Sequence, residues 1–265
     1  VTYAQAAVLG LIQGLTEFLP VSSSGHLVLA QSLYGWKEAD ITFDIAVHLA
    51  TLVAIVAYYR RDVCVILKGG LTGQTEPWAG LSPRTWCGLL ILGTLPAVVL
   101  SLGFKSEIEA QFADPVLNGW QLILSAALLF STVPLRTFRN TLTWGRAFWI
   151  GVAQAISILP GISRSGATIA TAMHLGISRE QAARYSFLLS MPAIFGAFVL
   201  QVVYIARSPE PFAPQWGPLL LGFLTSLVSG YFAVAWFVRF LVRGHFAVFG
   251  WWCLLLGAWS IWWFR

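Results

Sequence analysis

Hydrophobic positions along this chain fall into runs of two lengths. Six runs are long enough to cross a hydrocarbon core, which needs about 20 residues. They are Ile41 to Tyr59, Trp86 to Phe104, Leu117 to Leu135, Tyr185 to Ile205, Gly217 to Val238 and Phe246 to Phe264. The other apolar stretches are too short to span alone. Phe148 to Ile158 and Ala167 to Ile177 have about 11 residues each, Val1 to Leu19 is interrupted by Gln13 and Glu17, and a short helix is expected from His26 to Gly35. These shorter stretches predict two re-entrant helix pairs, each entering the membrane and turning back. Irregular backbone at that depth is tolerated only where it is buried in protein or lines a wet cavity.

Both turning points carry one pattern of polar residues. The first runs from Gly10 through Gln13, Glu17, Pro20, Ser22, Ser23, Ser24 and Gly25 to His26; the second runs from Gly151 through Gln154, Pro160, Gly161, Ser163, Arg164, Ser165 and Gly166 to Thr168. Gly10, Gln13, Ser22, Ser24 and Gly25 each recur 141 positions later, with a slip of one residue at the proline. Duplicated, interrupted apolar segments point to a midplane site between inverted repeats. Polar and ionisable groups at such a depth are costly and mark function by default.

Composition changes the picture only by fixing the class. The chain is 57% hydrophobic and 10% charged, against roughly 25% charged for a soluble domain. This is the composition of a polytopic membrane protein, with Trp259, Trp262 and Trp263 as an interfacial belt. The formal charge of +5 does not call for nucleic acid, because the basic residues sit in short loops between apolar runs. Arg60, Arg61, Lys68 and Arg84 follow the first span, Arg136, Arg139 and Arg146 the third, and Arg239 and Arg243 the fifth. The intervening loops carry Lys105 against Glu107, Glu109 and Asp114, and Arg207 with Glu210. The positive-inside rule makes the first set cytoplasmic and the second external.

Three full spans separate the helix pairs. That odd number makes the first pair enter from outside and the second from inside. The expected fold is therefore an all-α polytopic membrane protein, one membrane domain over 1–265, built as inverted repeats of about 1–135 and 145–265. Cys64, Cys87 and Cys253 have no metal or redox spacing and read as packing thiols. No basic n-region or small-residue cleavage site opens the sequence, so no removable leader is expected.

The chemistry follows from residue types. Gln13 and Glu17 share a helix face four residues apart. Two helix N-termini brought together, with Arg164 between them, would suit a compact polyanion, because helix N-termini bind anions and arginine offers a planar fork to phosphate oxygens. The expected catalytic residues are Glu17, His26, Ser23 and Arg164. Gln13, Ser22, Ser24, Gly25, Ser163, Ser165, Gly166 and Thr168 are expected to bind the anion. The nucleophile is Ser23 or a water, activated by His26 or Glu17 as base. Glu17 could equally hold Mg²⁺ or Ca²⁺, since hard cations prefer oxygen ligands. His48, one turn after Asp44, reads as a structural residue, as do His174 and His245 near the inner boundary. Gly10 and Gly14 read as a helix-packing pair.

The residues Gln13-x-x-x-Glu17-Phe18-Leu19-Pro20-Val21-Ser22-Ser23-Ser24-Gly25-His26 and Pro160-Gly161-Ile162-Ser163-Arg164-Ser165-Gly166-Ala167-Thr168 resemble the two motifs of the undecaprenyl-pyrophosphate phosphatase family, also known for bacitracin resistance. The resemblance extends over the length and span pattern. It implies a hydrolase of the bacterial inner membrane that converts the C55 isoprenyl pyrophosphate to the monophosphate carrier of cell-wall synthesis. It also implies dependence on divalent cations and a site opening toward the periplasm. Gln13 stands where many members have Glu, and a glutamine cannot serve as a base. The expected partners are the polyprenyl pyrophosphate substrate and membrane lipid, with a homodimer left open.

Two other classes compete. Type-2 phosphatidic-acid phosphatases also carry a Ser-Gly-His element, but their third motif needs histidine six residues after the arginine, where this chain has Ala170. A transporter or flippase of phosphorylated polyprenyl lipid would use the same broken helices.

Overall fold

The computed structural model describes residues 1–36, 41–74, 76–135, 141–207 and 214–265. Arg136, Arg139 and Glu210, whose charges enter the orientation argument, lie outside the described residues. Every regular element described is a helix. In chain order these are α1 (Tyr3–Phe18), α2 (Ser23–Tyr34), α3 (Ile41–Tyr58), α4 (Arg60–Thr72), α5 (Pro83–Gly103), α6 (Lys105–Gln111), α7 (Pro115–Phe130), α8 (Trp144–Ile156), α9 (Arg164–His174), α10 (Arg179–Arg207), α11 (Trp216–Val242) and α12 (Val248–Phe264).

The expected run lengths need revision at several places. Among the described residues, α5, α10 and α11 are long and apolar enough to cross a membrane. The run expected to span from Ile41 to Tyr59 ends at Tyr58 and turns by 83° into α4. The paired arginines Arg60 and Arg61 sit just past that bend and open the polar helix that follows. The expected span from Leu117 to Leu135 is α7, 16 residues from Pro115, where Asp114 caps its start with bonds from the Val116 and Leu117 N–H groups, to Phe130. Its partner α12 has 17 residues. At 1.5 Å per residue these two reach about 24–26 Å, short of the about 30 Å hydrocarbon thickness.

Packing follows a reciprocal scheme. Helix α1 lies along α11, α8 lies along α5, and α7 pairs with α12. Small residues permit these approaches. A Cβ on Gly10 would collide with the Gly222 backbone, and one on Gly151 would collide with the Gly93 backbone. The two glycines that recur at matched positions therefore serve the same close crossing in two places.

Both short helix pairs break where the prolines predict. Helix α1 ends at Phe18, before Leu19-Pro20, and α8 ends at Ile156, before Pro160-Gly161. Of the helices that follow, α2 begins earlier than expected, at Ser23 and not at His26, with Ser22 as N-cap; α9 opens within the expected Ser163–Gly166 segment, starting at Arg164 with Ser163 as N-cap. In each, the capping serine hydroxyl accepts the N–H of the glycine three residues on, Gly25 at 3.2 Å and Gly166 at 3.1 Å. This is the serine N-cap expected from its short side chain.

Candidate active site

The two breaks meet and complete each other. Ser22 and Ser24 donate to the Pro160 carbonyl at 2.5 and 2.7 Å, and Ser165 donates to the Leu19 carbonyl at 3.0 Å. Broken helix ends leave carbonyls without intrahelical donors, and in a low-dielectric setting each such group is costly. The hydroxyls of one break supply donors to the other. Thr168 donates to the Arg164 carbonyl at 2.8 Å and pairs with Ser186 at 2.6 Å. Three hydroxyls expected to bind the anion, those of Ser22, Ser24 and Ser165, are thus engaged in the join itself, while that of Thr168 ties α9 to α10 through Ser186 and that of Ser163 caps α9.

Ser22 is the hub of this join. Its φ of 66° and ψ of 97° are unusual for a residue with a side chain. Such a conformation costs on the order of 1–3 kcal/mol and persists only where surroundings impose it. Its carbonyl lies 2.7 Å from His26 Nδ1, while its hydroxyl reaches Pro160.

Beside the join lies a charged cluster drawn from both segments. Glu17 receives Gln13 Nε2 at 2.9 Å and Ser23 Oγ at 2.5 Å on one carboxylate oxygen, and Arg164 Nη2 at 2.6 Å on the other. The Glu17 and Arg164 side chains are only 7% and 15% exposed. Two polar atoms of the cluster are buried without a partner, Gln13 Oε1 and Arg164 Nη1. Orphaned groups of this kind in a native site call for an explanation, of which a ligand is one. The α2 and α9 N-termini add N–H groups that lack intrahelical acceptors.

The structure brings Glu17, Ser23, Gln13 and Arg164 into direct contact. His26 stands apart from Ser23's hydrogen bond. Its Nδ1 faces Ser22, and its Nε2 accepts the indole N–H of Trp252 at 2.9 Å.

Several site residues escaped the sequence reading. Asn118, Gln121 and Ser125 form one buried stripe on α7 that holds both breaks. Asn118 donates to the Gly25 carbonyl at 3.0 Å, Gln121 accepts the Gly161 N–H at 3.0 Å, and Ser125 bridges the Ser163 N–H and the Gly161 carbonyl, both at 3.0 Å. Polar residues spaced three and four apart inside an apolar run were the available signal. His48, read as structural, bonds the Asp44 carbonyl through Nδ1 at 2.7 Å. Trp252 gave no signal, since it is one of several tryptophans on an apolar helix. Of the other histidines, His174 pairs with Ser131 at 2.8 Å.

A family model for "Bacitracin resistance protein BacA" matches residues 6–259. The chain belongs to this family. Curated relatives named undecaprenyl-diphosphatase match over nearly full length. The protein of Geobacter metallireducens is 43% identical, covering 96% of this chain and 95% of its own. That of Desulfatibacillum aliphaticivorans is 40% identical with 97% and 96% covered, and that of Korarchaeum cryptofilum is 41% identical with 96% of each covered.

A divalent cation is tested by the donors at the cluster. Among the described residues no group of three His, Cys, Asp or Glu side chains is placed to hold a metal. Glu17 with the orphaned Gln13 Oε1 does offer two oxygens. That pair fits an ion shared with substrate phosphates, as Mg²⁺ sites often are.

Proposed function

We propose that this BacA-family chain hydrolyses undecaprenyl diphosphate to undecaprenyl phosphate and phosphate at the meeting of its two breaks. In this reading Ser23 is the nucleophile, Glu17 its base and Arg164 the phosphate clamp. The observation that carries it is the Ser23 hydroxyl on Glu17 at 2.5 Å, beside the buried, unpartnered Arg164 Nη1. An oxygen nucleophile needs a base within hydrogen-bond reach and a third group to orient that base. Gln13 and Arg164 orient Glu17.

Ser23 Oγ attacks the terminal phosphorus while its proton passes to Glu17, and the bond to the bridging oxygen breaks. The lipid monophosphate leaves with that bond's electron pair and takes the proton from Glu17, which returns to its carboxylate form. Water then attacks the phosphoserine with Glu17 as base, releasing phosphate and restoring the serine. Phosphoryl transfer asks mainly for positioning and charge stabilisation. Arg164 Nη1 and the first N–H groups of α2 and α9 supply both. Gln13 and Glu17 would hold a divalent cation against the pyrophosphate, which would neutralise phosphate charge.

The same reading places the chain as an inverted repeat in a bacterial inner membrane, with 1–135 and 145–265 as the repeats, α1/α2 and α8/α9 as re-entrant pairs, and the site opening to the periplasm. The reciprocal packing of α1 on α11 and α8 on α5 supports the repeat, as do the matched crossings at Gly10 and Gly151. The prenyl chain would lie along exposed apolar helix faces.

The deciding experiment is phosphate release from undecaprenyl diphosphate by purified protein in detergent. Stoichiometric release supports the reading. Its absence, with lipid translocation in vesicles, would establish a flippase on this fold instead.

A further inference from the structure

We infer that Trp252 is a positioning residue that acts through His26, a role that rests on the phosphatase reading above. The two rings are nearly parallel, 3° apart with centroids 6.1 Å apart, and the indole N–H points at His26 Nε2 at 2.9 Å. This is a hydrogen bond and not a face-to-face stack. An indole N–H can only donate, so Nε2 carries the lone pair. A backbone carbonyl can only accept, so Nδ1, 2.7 Å from the Ser22 carbonyl, carries the proton. Two partners on different elements, α12 and the N-cap of α2, thus require the same neutral tautomer.

The bond continues into the join. Trp252 holds His26, His26 holds the carbonyl of the strained Ser22, and the Ser22 hydroxyl holds Pro160. The next residue on α12, Cys253, reaches the Pro20 carbonyl at 3.5 Å. One turn of α12 therefore braces the first break at two points.

A plain interfacial tryptophan is the alternative, and the geometry distinguishes them. Trp252 is 55% exposed, and a belt or lipid-facing role needs only an aromatic body. Here the polar atom of the ring is turned inward onto a site histidine. Phenylalanine would preserve the body and delete that one donor.

The experiment is Trp252→Phe, alone and in a His26→Asn background, with Trp262→Phe as control on the same helix. Alone, it lowers kcat about tenfold, the rate equivalent of one lost neutral hydrogen bond, and leaves KM within about twofold. In His26→Asn it causes no further loss, because the residue through which it acts is gone. Nitrogen-15 NMR of histidine-labelled protein, with His26 assigned by its absence from His26→Asn, shows a single Nδ1-protonated tautomer in the wild type. Trp252→Phe shows tautomer mixing. A wild-type kcat, an equal loss in both backgrounds, or an unchanged His26 spectrum overturns the inference. If the wild type releases no phosphate, the phosphatase reading falls, while the NMR arm still decides the role of Trp252.

Discussion

The Arg164 guanidinium meets the Glu17 carboxylate at 2.6 Å although the two residues stand 147 positions apart. Each comes from a different break, so the contact exists only when both segments are in place. In the proposed mechanism it also ties the base to the clamp, because a phosphate that draws on Arg164 takes a counter-charge from Glu17.

Removing one member of a buried ion pair destabilises by about 3–5 kcal/mol, so Arg164→Ala confounds folding with chemistry. Arg164→Lys is the sharper probe, since it keeps charge beside Glu17 and loses the planar fork. Its kcat should fall by about 10²–10³, the usual cost of one transition-state donor. Arg243→Ala, at the exposed end of α11, should leave kcat unchanged. Equal small losses in both would return Arg164 to a folding role.

Ser23→Ala removes the proposed nucleophile and one donor to Glu17. Turnover should drop by at least about 10³, and acid quenching of the wild type with substrate labelled in its terminal phosphate should trap label on Ser23. A Ser23→Ala enzyme at a tenth of wild-type rate would assign the attack to water.

Gln13→Glu sets a second carboxylate against Glu17 where a donor now stands at 2.9 Å. The two charges repel unless a cation lies between them. Activity should survive, with the divalent-cation dependence steeper than in the wild type. A titration of rate against Mg²⁺ and Ca²⁺ reads this directly, and an unchanged curve would detach Gln13 from the metal.

Gly151→Leu should lower stability without touching the cluster, because the Gly93 backbone occupies the space any side chain would need. Overpacking of this type costs about 1–3 kcal/mol. A thermal melt of detergent-solubilised protein by size-exclusion fluorescence would show the loss. Full activity per folded molecule should remain.

Orientation can be read with single cysteines at Arg146 and Lys105. An impermeant thiol reagent should label the Lys105 site from the periplasm and the Arg146 site only after permeabilisation. Equal labelling of both would remove the charge argument for the inverted arrangement.

Local features were open to sequence reading, and long-range partnerships were not. Pro20 and Pro160 mark both breaks because proline cannot continue a helix, whereas the Ser22 cap was not read and α2 was expected only from His26. Glu17 and Arg164 stand out because ionisable groups are rare in such runs. What stayed hidden was which hydroxyl pairs with which carbonyl. Ser24 with Pro160 and Ser165 with Leu19 are bonds across more than half the chain, and nothing local encodes them. The same holds for Trp252, whose sequence neighbourhood is uniformly apolar. The bend after Tyr58 was missed because hydropathy records length and not direction.

The exchange of hydroxyls for carbonyls has a consequence for what a partial chain can be. A fragment ending after α7 would carry the Ser22 and Ser24 donors with no Pro160 to receive them, and a Leu19 carbonyl left with the Val21 N–H alone. The complementary fragment would have the opposite deficits. In hydrocarbon each uncovered backbone group costs several kcal/mol, so neither fragment is a viable membrane protein by itself. Two fragments made together should reassemble, each acting as the solvent that the other's broken backbone requires.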